Sequence, residues 1–351
     1  MFQQLQQQLN IDSIYDLDQL SPAQLKQALQ AQKIPSIGLR SDSANDIDAY
    51  KAQCRKIADI AYHWPSAGLV AVMHMHVVLA FARYPKFIPY SQIMLEDIAK
   101  HESLLASLSA EGAVQKQQGF APLLHQRMSA TQFHLNGIKK PASLSHIADY
   151  FACMSREASS QEAAMVIIPR NDKVKVDASL WDSEVFNAAD TQAVQFDNVM
   201  LSADQVADEG SEVIPVMSLA LGTFQYMTIQ CYLGIAQRLI DKISATFKPY
   251  YELRAAMARV QMFSATMCDV IAQQSFNTDT DEGARQFVQS CRYHLQRDIE
   301  VLVSNVHKHM SATALVTDKD FAHLMNTLMM LSFHPVAEKS AIREFMPQFN
   351  G

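Results

Sequence analysis

The stretch FHLNGIKKPASLSHIADYFACM (Phe133–Met154) alternates short apolar runs with turn-forming residues inside a chain that is otherwise helical in pattern. Phe133–Leu135 reads as a short strand, Asn136-Gly137 as a tight turn, Lys139 and Lys140 as a solvated turn, and Tyr150–Met154 as a second strand. Working outward, apolar runs between Leu105 and Asp208 stay short and are bounded by turn formers. Ala163–Ile168 closed by Pro169, Val174–Val176, and Ala193–Leu201 with Asp197-Asn198 inside it are predicted strands.

On either side the period changes to that of helices. Ser21-Pro22 is an N-cap followed by proline at the first helical position, with Leu25, Ala28 and Leu29 at helical spacing behind it. Tyr50–Tyr62 is amphipathic, and Ser66–Arg83 is apolar nearly all round, which predicts a helix sealed inside a larger body. Helical spacing returns over Ser211–Ser244, Pro249–Gln274, Asp281–Met310 and Asp318–Leu331, the last stopped by His334-Pro335. The order helices, strands, helices predicts an α+β fold: an N-terminal α-helical domain (1–104), a small central β-barrel or sandwich (105–210) and a C-terminal α-helical bundle (211–351). The seam between strands and bundle is a natural cleft for a flat ligand.

Composition narrows the partners. At 351 residues and 49% hydrophobic the chain is long and apolar enough for several packed layers. Its net charge of -7, with 29 basic residues and no basic run, argues against a nucleic-acid groove or an anionic membrane as the main partner. The five cysteines (Cys54, Cys153, Cys231, Cys268, Cys291) are dispersed and lack a CxxC pair, which predicts buried thiols without a disulfide framework or zinc knuckle. His74 and His76 stand two apart on a helix and point to different faces, so no metal site is expected there. With no signal-like leader and no uninterrupted apolar span of about eighteen residues, a cytoplasmic protein is expected.

LNGIKKPASLSHIADYF resembles the segment by which the acyl-CoA dehydrogenase superfamily enters its β-domain, through Gly137, Lys139, Ser143, Ala148 and Asp149. In the family's order, SAGLVAVMHMHVV resembles its histidine-bearing apolar helix, with His74 at the matching place. VQFDNVMLSADQV resembles its F-D-x-V segment with Ser202 in place of proline, YLGIAQRLID is similar to the start of its long C-terminal helices, and HMSATALVTDKDFAHLMNTLMMLSFHP runs in register with its tail. In the tail Ser311-Ala312 replace paired glycines, His323 and Asn326 replace arginines and Thr327 replaces an aspartate. The resemblance implies FAD bound between β-domain and bundle, in a homodimer or homotetramer acting on an acyl thioester carried by CoA or a carrier protein. It implies Ser143 hydrogen-bonded to the flavin ring, Pro141 where an aromatic usually stands beside it, and backbone contacts from the loop holding Ser107 and Ser109. Lys308 would lie near a partner subunit's pyrophosphate, and Ser311 and Ala312 at the glycine positions. Fixed donors suit a flavin, because hydride arriving at N5 spreads negative charge toward N1 and C2=O.

The family's catalytic glutamate is missing: its commoner site aligns with Pro335 and its alternative falls near Phe224 and Gln225. Removal of an α-proton needs a base, so His334 or a displaced Glu338 would have to supply it. A branch of the same fold works without that glutamate, as monooxygenases using reduced flavin and oxygen; there His334, His74 and Ser143 would hydrogen-bond the flavin and handle a proton. A third reading is a non-catalytic relative serving as an interaction module. Each residue also has a plain structural role: His74 and His76 as core histidines, His334 as a helix cap, Ser143 as a turn hydroxyl, Glu338 as a solvated surface carboxylate.

Overall fold

The structure is a computed structural model and describes residues 11, 13–39, 46–108, 123–208, 213–246, 251–276, 282–307, 312–333 and 338. Five helices come first: α1 (Ile14–Asp18), α2 (Pro22–Ala31), α3 (Ile47–His63), α4 (Pro65–Arg83) and α5 (Tyr90–His101). Ser21 caps α2 in a reciprocal capping box with Gln24, and Asp46 caps α3 by accepting from the Asp48 N–H at 2.8 Å. α4 meets the length and apolarity of a membrane span, contrary to the expectation that no segment would, yet 89% of its most apolar window is buried inside the protein. No side-chain cap closes its start. Instead the buried Asp18 carboxylate accepts from the Ser66 N–H at 3.0 Å, placing a negative charge at the positive end of the helix.

The strands follow as β1 (Leu105–Ser107), β2 (Leu124–Arg127), β3 (Gln132–Ala142), β4 (Tyr150–Glu157), β5 (Ala163–Pro169), β6 (Val174–Asp177), β7 (Gln192–Ser202) and β8 (Val206–Asp208). They form one sheet in the order β6-β7-β3-β2-β4-β5-β8, with β1 paired parallel to β4. The predicted turn at Asn136-Gly137 does not form: β3 runs through it against β7. The pair is absorbed as a register shift between Leu135 and Gly137, where glycine takes φ 137°, a value that side-chain-bearing residues avoid. Lys139 and Lys140 therefore lie on a strand, and alternation turns Lys139 inward until it is 1% exposed. The chain reverses later, at Ser143–Ile147.

The C-terminal part is helical: α6 (Val213–Thr246), α7 (Tyr251–Phe276), α8 (Glu282–His307), α9 (Ala312–Thr317) and α10 (Lys319–Met329). α6 packs on α3 and α4 and carries α7, α8 and α10. Contact with α3 is close enough that a Cβ on Gly234 would stand 2.1 Å from the Ala58 carbonyl oxygen. Cys54, Cys153, Cys231 and Cys291 are buried, and none is in a disulfide among the described residues.

Candidate functional site

Two segments meet beside the end of β3: the reversal Ser143–Ile147 and the run Phe186–Thr191 that leads into β7. Backbone bonds join them, Leu144 N–H to Ala189 O and Ser145 N–H to Asp190 O, each at 3.0 Å. Ser143 Oγ and Thr191 Oγ1 are hydrogen-bonded at 3.0 Å. The Asp190 side chain, 2% exposed, accepts from His146 N–H at 2.5 Å and from His146 Nδ1 at 2.6 Å, while the imidazole is 42% exposed. Ser145 Oγ donates to the Asp190 carbonyl at 2.8 Å. Leu144 (φ 64°) and Asp190 (φ 53°) both occupy the left-handed region. Leucine there is strained by about 1–3 kcal/mol and persists only where its surroundings over-determine it; here a fully buried side chain and the bond to Ala189 hold it.

The far end of the reversal is pinned as firmly. Arg170 donates to the carbonyls of Ser145 and Ala148 and lies 4.8 Å over the Phe151 ring. Asp149 accepts from Lys26 Nζ at 2.6 Å and from Leu104 N–H at 2.9 Å. His74, buried on α4, accepts from Leu105 N–H at 2.9 Å through Nδ1 and donates from Nε2 to Pro35 O at 3.0 Å. Those two bonds need the neutral ring, and burial holds its pKa below the ordinary histidine value. His74 thus ties the start of β1, and with it the approach to Ser107, to the helical body. His76 bonds back to Val72 O at 2.8 Å, meets Phe224 edge-on at 5.3 Å, and is pushed down to about 4 by burial.

On the bundle side, Tyr232 of α6 meets Phe186 edge-on at 6.2 Å. Gln225 and Thr228, seven and four residues earlier, share that helix face. Both are buried, and both amide atoms of Gln225 and the hydroxyl of Thr228 lack hydrogen-bond partners among the described residues. A buried polar atom left unsatisfied costs about 1–3 kcal/mol, and such atoms commonly mark a functional role or a missing partner.

Of the residues expected from the sequence, Ser143 stands at the junction, Ser107 is partly buried at the end of β1 opposite Ala152, and Pro141 is exposed on β3. Ala312 is exposed at the start of α9. Glu338 is apart from these: it pairs with Arg297 of α8. Ser109, Lys308, Ser311 and His334 lie outside the described residues. Thr191, Asp190 and His146 went unrecognised in the sequence, because their partners come from segments some forty-five residues apart and no short motif joins them.

No protein-family model and no curated protein matches the sequence. Solved structures do match the fold over nearly the whole chain. FMN-bound TdsC from Paenibacillus sp. A11-2 superimposes with a TM-score of 0.75 at 16% identity, covering 93% of this chain and 90% of that one. Nitrososynthase from Micromonospora carbonacea var. africana gives 0.64 at 15% identity, covering 94% and 97%. Butyryl-CoA dehydrogenase from Megasphaera elsdenii gives 0.67 at 11% identity, covering 91% and 88%. Helices, an inserted sheet and a helical bundle, in this order and over this coverage, give the chain the acyl-CoA dehydrogenase-like fold.

Proposed function

We propose that the chain is a flavin-dependent oxidoreductase whose ring-binding crevice lies between the Ser143–Thr191 junction and the Gln225–Thr228–Tyr232 face of α6. The residues suit the cofactor: a hydroxyl pair stands at the strand end, and α6, which meets Phe186 through Tyr232, carries buried amide and hydroxyl groups without a partner among the described residues. When bound, the flavin supplies hydride acceptance or oxygen activation. The chain's own groups bind and orient: Ser143 gives a hydrogen bond to the ring, Gln225 and Thr228 satisfy polar edges, and His74 fixes β1. FAD is the form we propose; the neighbouring structures include TdsC bound to FMN and XiaF with FADH2, so extraction and chromatography of the bound flavin decides between the two.

Of the two reactions open to this fold, the oxygen-using one is favoured, and the observation that carries it is the state of the carboxylates. Gln225 is an amide where a base would be needed, and Glu338 is engaged by Arg297. Dibenzothiophene monooxygenase TdsC and nitrososynthase are among the neighbours. Dehydrogenation of an acyl thioester, on CoA or a carrier protein, is the second reading, with His334 as base. Exposed apolar groups on the helical tail, Val301, Val316, Met329 and Phe333, support a homodimer or homotetramer. The buried cysteines, none of them in a disulfide among the described residues, suit a reducing cytoplasm.

Purified protein loaded with FAD is mixed anaerobically with acyl-CoAs, and separately with a flavin reductase, NADH and oxygen. Reduction only by the reductase, followed by an oxygenated product from an added aromatic or amine, supports the oxygen-using reading. Bleaching by an acyl-CoA replaces it with dehydrogenation, and protein that takes up neither FAD nor FMN overturns both.

A further inference from the structure

Ser143 can donate its proton to a bound ring only if that proton is not already given to Thr191. The two oxygens are 3.0 Å apart and either hydroxyl can be the donor. Ser143 is therefore free to donate outward when Thr191 donates to it, and Thr191 is held by the residue before it. Asp190 sits in the left-handed backbone region, its carboxylate fully enclosed, accepting two bonds from His146, while its carbonyl takes two more from Ser145. The charged groups around it are Arg170, which grips the same turn from just past β5, and Asp149, just before β4, with its partner Lys26 of α2.

We propose that His146 and Asp190 are a positioning pair, which locks Thr191 so that its hydroxyl donates to Ser143 and leaves the Ser143 proton aimed at the flavin. This rests on the cofactor reading above. Neither residue touches the ring: they act through Thr191 and Ser143, and the charge-assisted bond from His146 Nδ1 is what fixes the Asp190 backbone.

The test is FAD affinity, read by fluorescence quenching, together with amide hydrogen exchange of residues 143–146 in flavin-free protein. Ser143→Ala, Thr191→Val and His146→Ala are each expected to weaken FAD binding by about fivefold, the loss of one hydrogen bond. Because they act in series, Ser143→Ala combined with His146→Ala should be no weaker than either alone. His146→Asn, whose amide N–H can stand in for Nδ1–H, should bind within about twofold of wild type. In flavin-free protein, His146→Ala should speed exchange at positions 145 and 146 by about tenfold or more and His146→Asn should not. Multiplicative effects of His146→Ala and Ser143→Ala, or wild-type binding by His146→Ala, would overturn the positioning role while leaving the cofactor reading standing. Should His146→Ala not fold, Thr191→Val against Thr191→Ser carries the same comparison, with rescue by serine expected and its absence decisive against the relay. Wild-type protein without affinity for FAD would remove the cofactor reading and this inference with it.

Discussion

His323 Nε2 and Asp18 Oδ2 lie 2.6 Å apart, both side chains sealed from solvent, and they join helices separated by 305 positions in the chain. The other Asp18 oxygen caps α4 through Ser66 N–H, so one carboxylate at the end of α1 ties α1, α4 and α10 together. Removing one partner leaves a buried polar group without its hydrogen bond, typically at about 1–3 kcal/mol. His323→Ala should therefore lower unfolding free energy in urea by about that amount. Replacing both residues, as Asp18→Asn with His323→Leu, should cost less than His323→Ala alone, and the opposite ranking would show that the pair is not what holds the three elements.

Helix packing gives a second expectation. A methyl group on Gly234 would collide with the backbone of Ala58, 2.1 Å from its oxygen and 2.9 Å from its carbonyl carbon, and backbone cannot swing aside as a side chain can. Although alanine has the better helix propensity by about 1 kcal/mol, Gly234→Ala should destabilise by about 1–3 kcal/mol or more, since overpacking forces α3 and α6 apart. A thermal melt at or above that of wild type would contradict the close approach.

Much of this architecture was legible from periodicity, because long apolar stripes at helical spacing have few alternatives: Ser66–Arg83 and Ser211–Ser244 match α4 and α6 to within a residue or two at each end. Pairing was not. The Asn136-Gly137 dipeptide carries the strongest short-range hairpin signal, yet the neighbouring β7 offers eleven residues of ladder and the sheet overrides the local preference. Lys139 looked solvated because charge alone says so; its burial follows from strand alternation, which only the true reversal at Ser143–Ile147 sets. Ser143 was visible through its motif, whereas Asp190 and His146 matter only once two loops are brought together.

Two buried histidines predict a pH dependence. Burial keeps His74 below the ordinary histidine pKa and His76 at about 4, so both stay neutral in the folded chain while the unfolded chain protonates near 6.5. Folded pKa values below unfolded ones mean that the unfolded state binds more protons as pH falls, so stability is full above about 6.5 and declines toward 4. At pH 5 His76 alone should cost about 2 kcal/mol. Urea titrations at pH 7 and pH 5 measure the loss, and His76→Phe should shrink it; an unchanged difference would show that His76 is not among its sources.

The last prediction separates the two proton-handling candidates. Glu338 pairs with Arg297, and α8 also grips the preceding residues: Arg292 donates to Leu331 O at 3.0 Å and Ser332 Oγ donates to Glu300 at 2.6 Å. A carboxylate already committed to a guanidinium gains nothing as a base unless that pair breaks, whereas His334, next in sequence after this anchored stretch, offers an imidazole, a side chain suited to accepting and returning a proton. In flavin-loaded enzyme Glu338→Gln should change turnover by less than about threefold, while His334→Ala should lower it by about 10²–10⁴, the usual worth of general acid–base assistance. Loss of turnover in Glu338→Gln, with His334→Ala unaffected, would return the role to the carboxylate. It would also restore thioester dehydrogenation as the better account of the site, because α-proton removal needs a base there and a carboxylate is the one the family ordinarily uses.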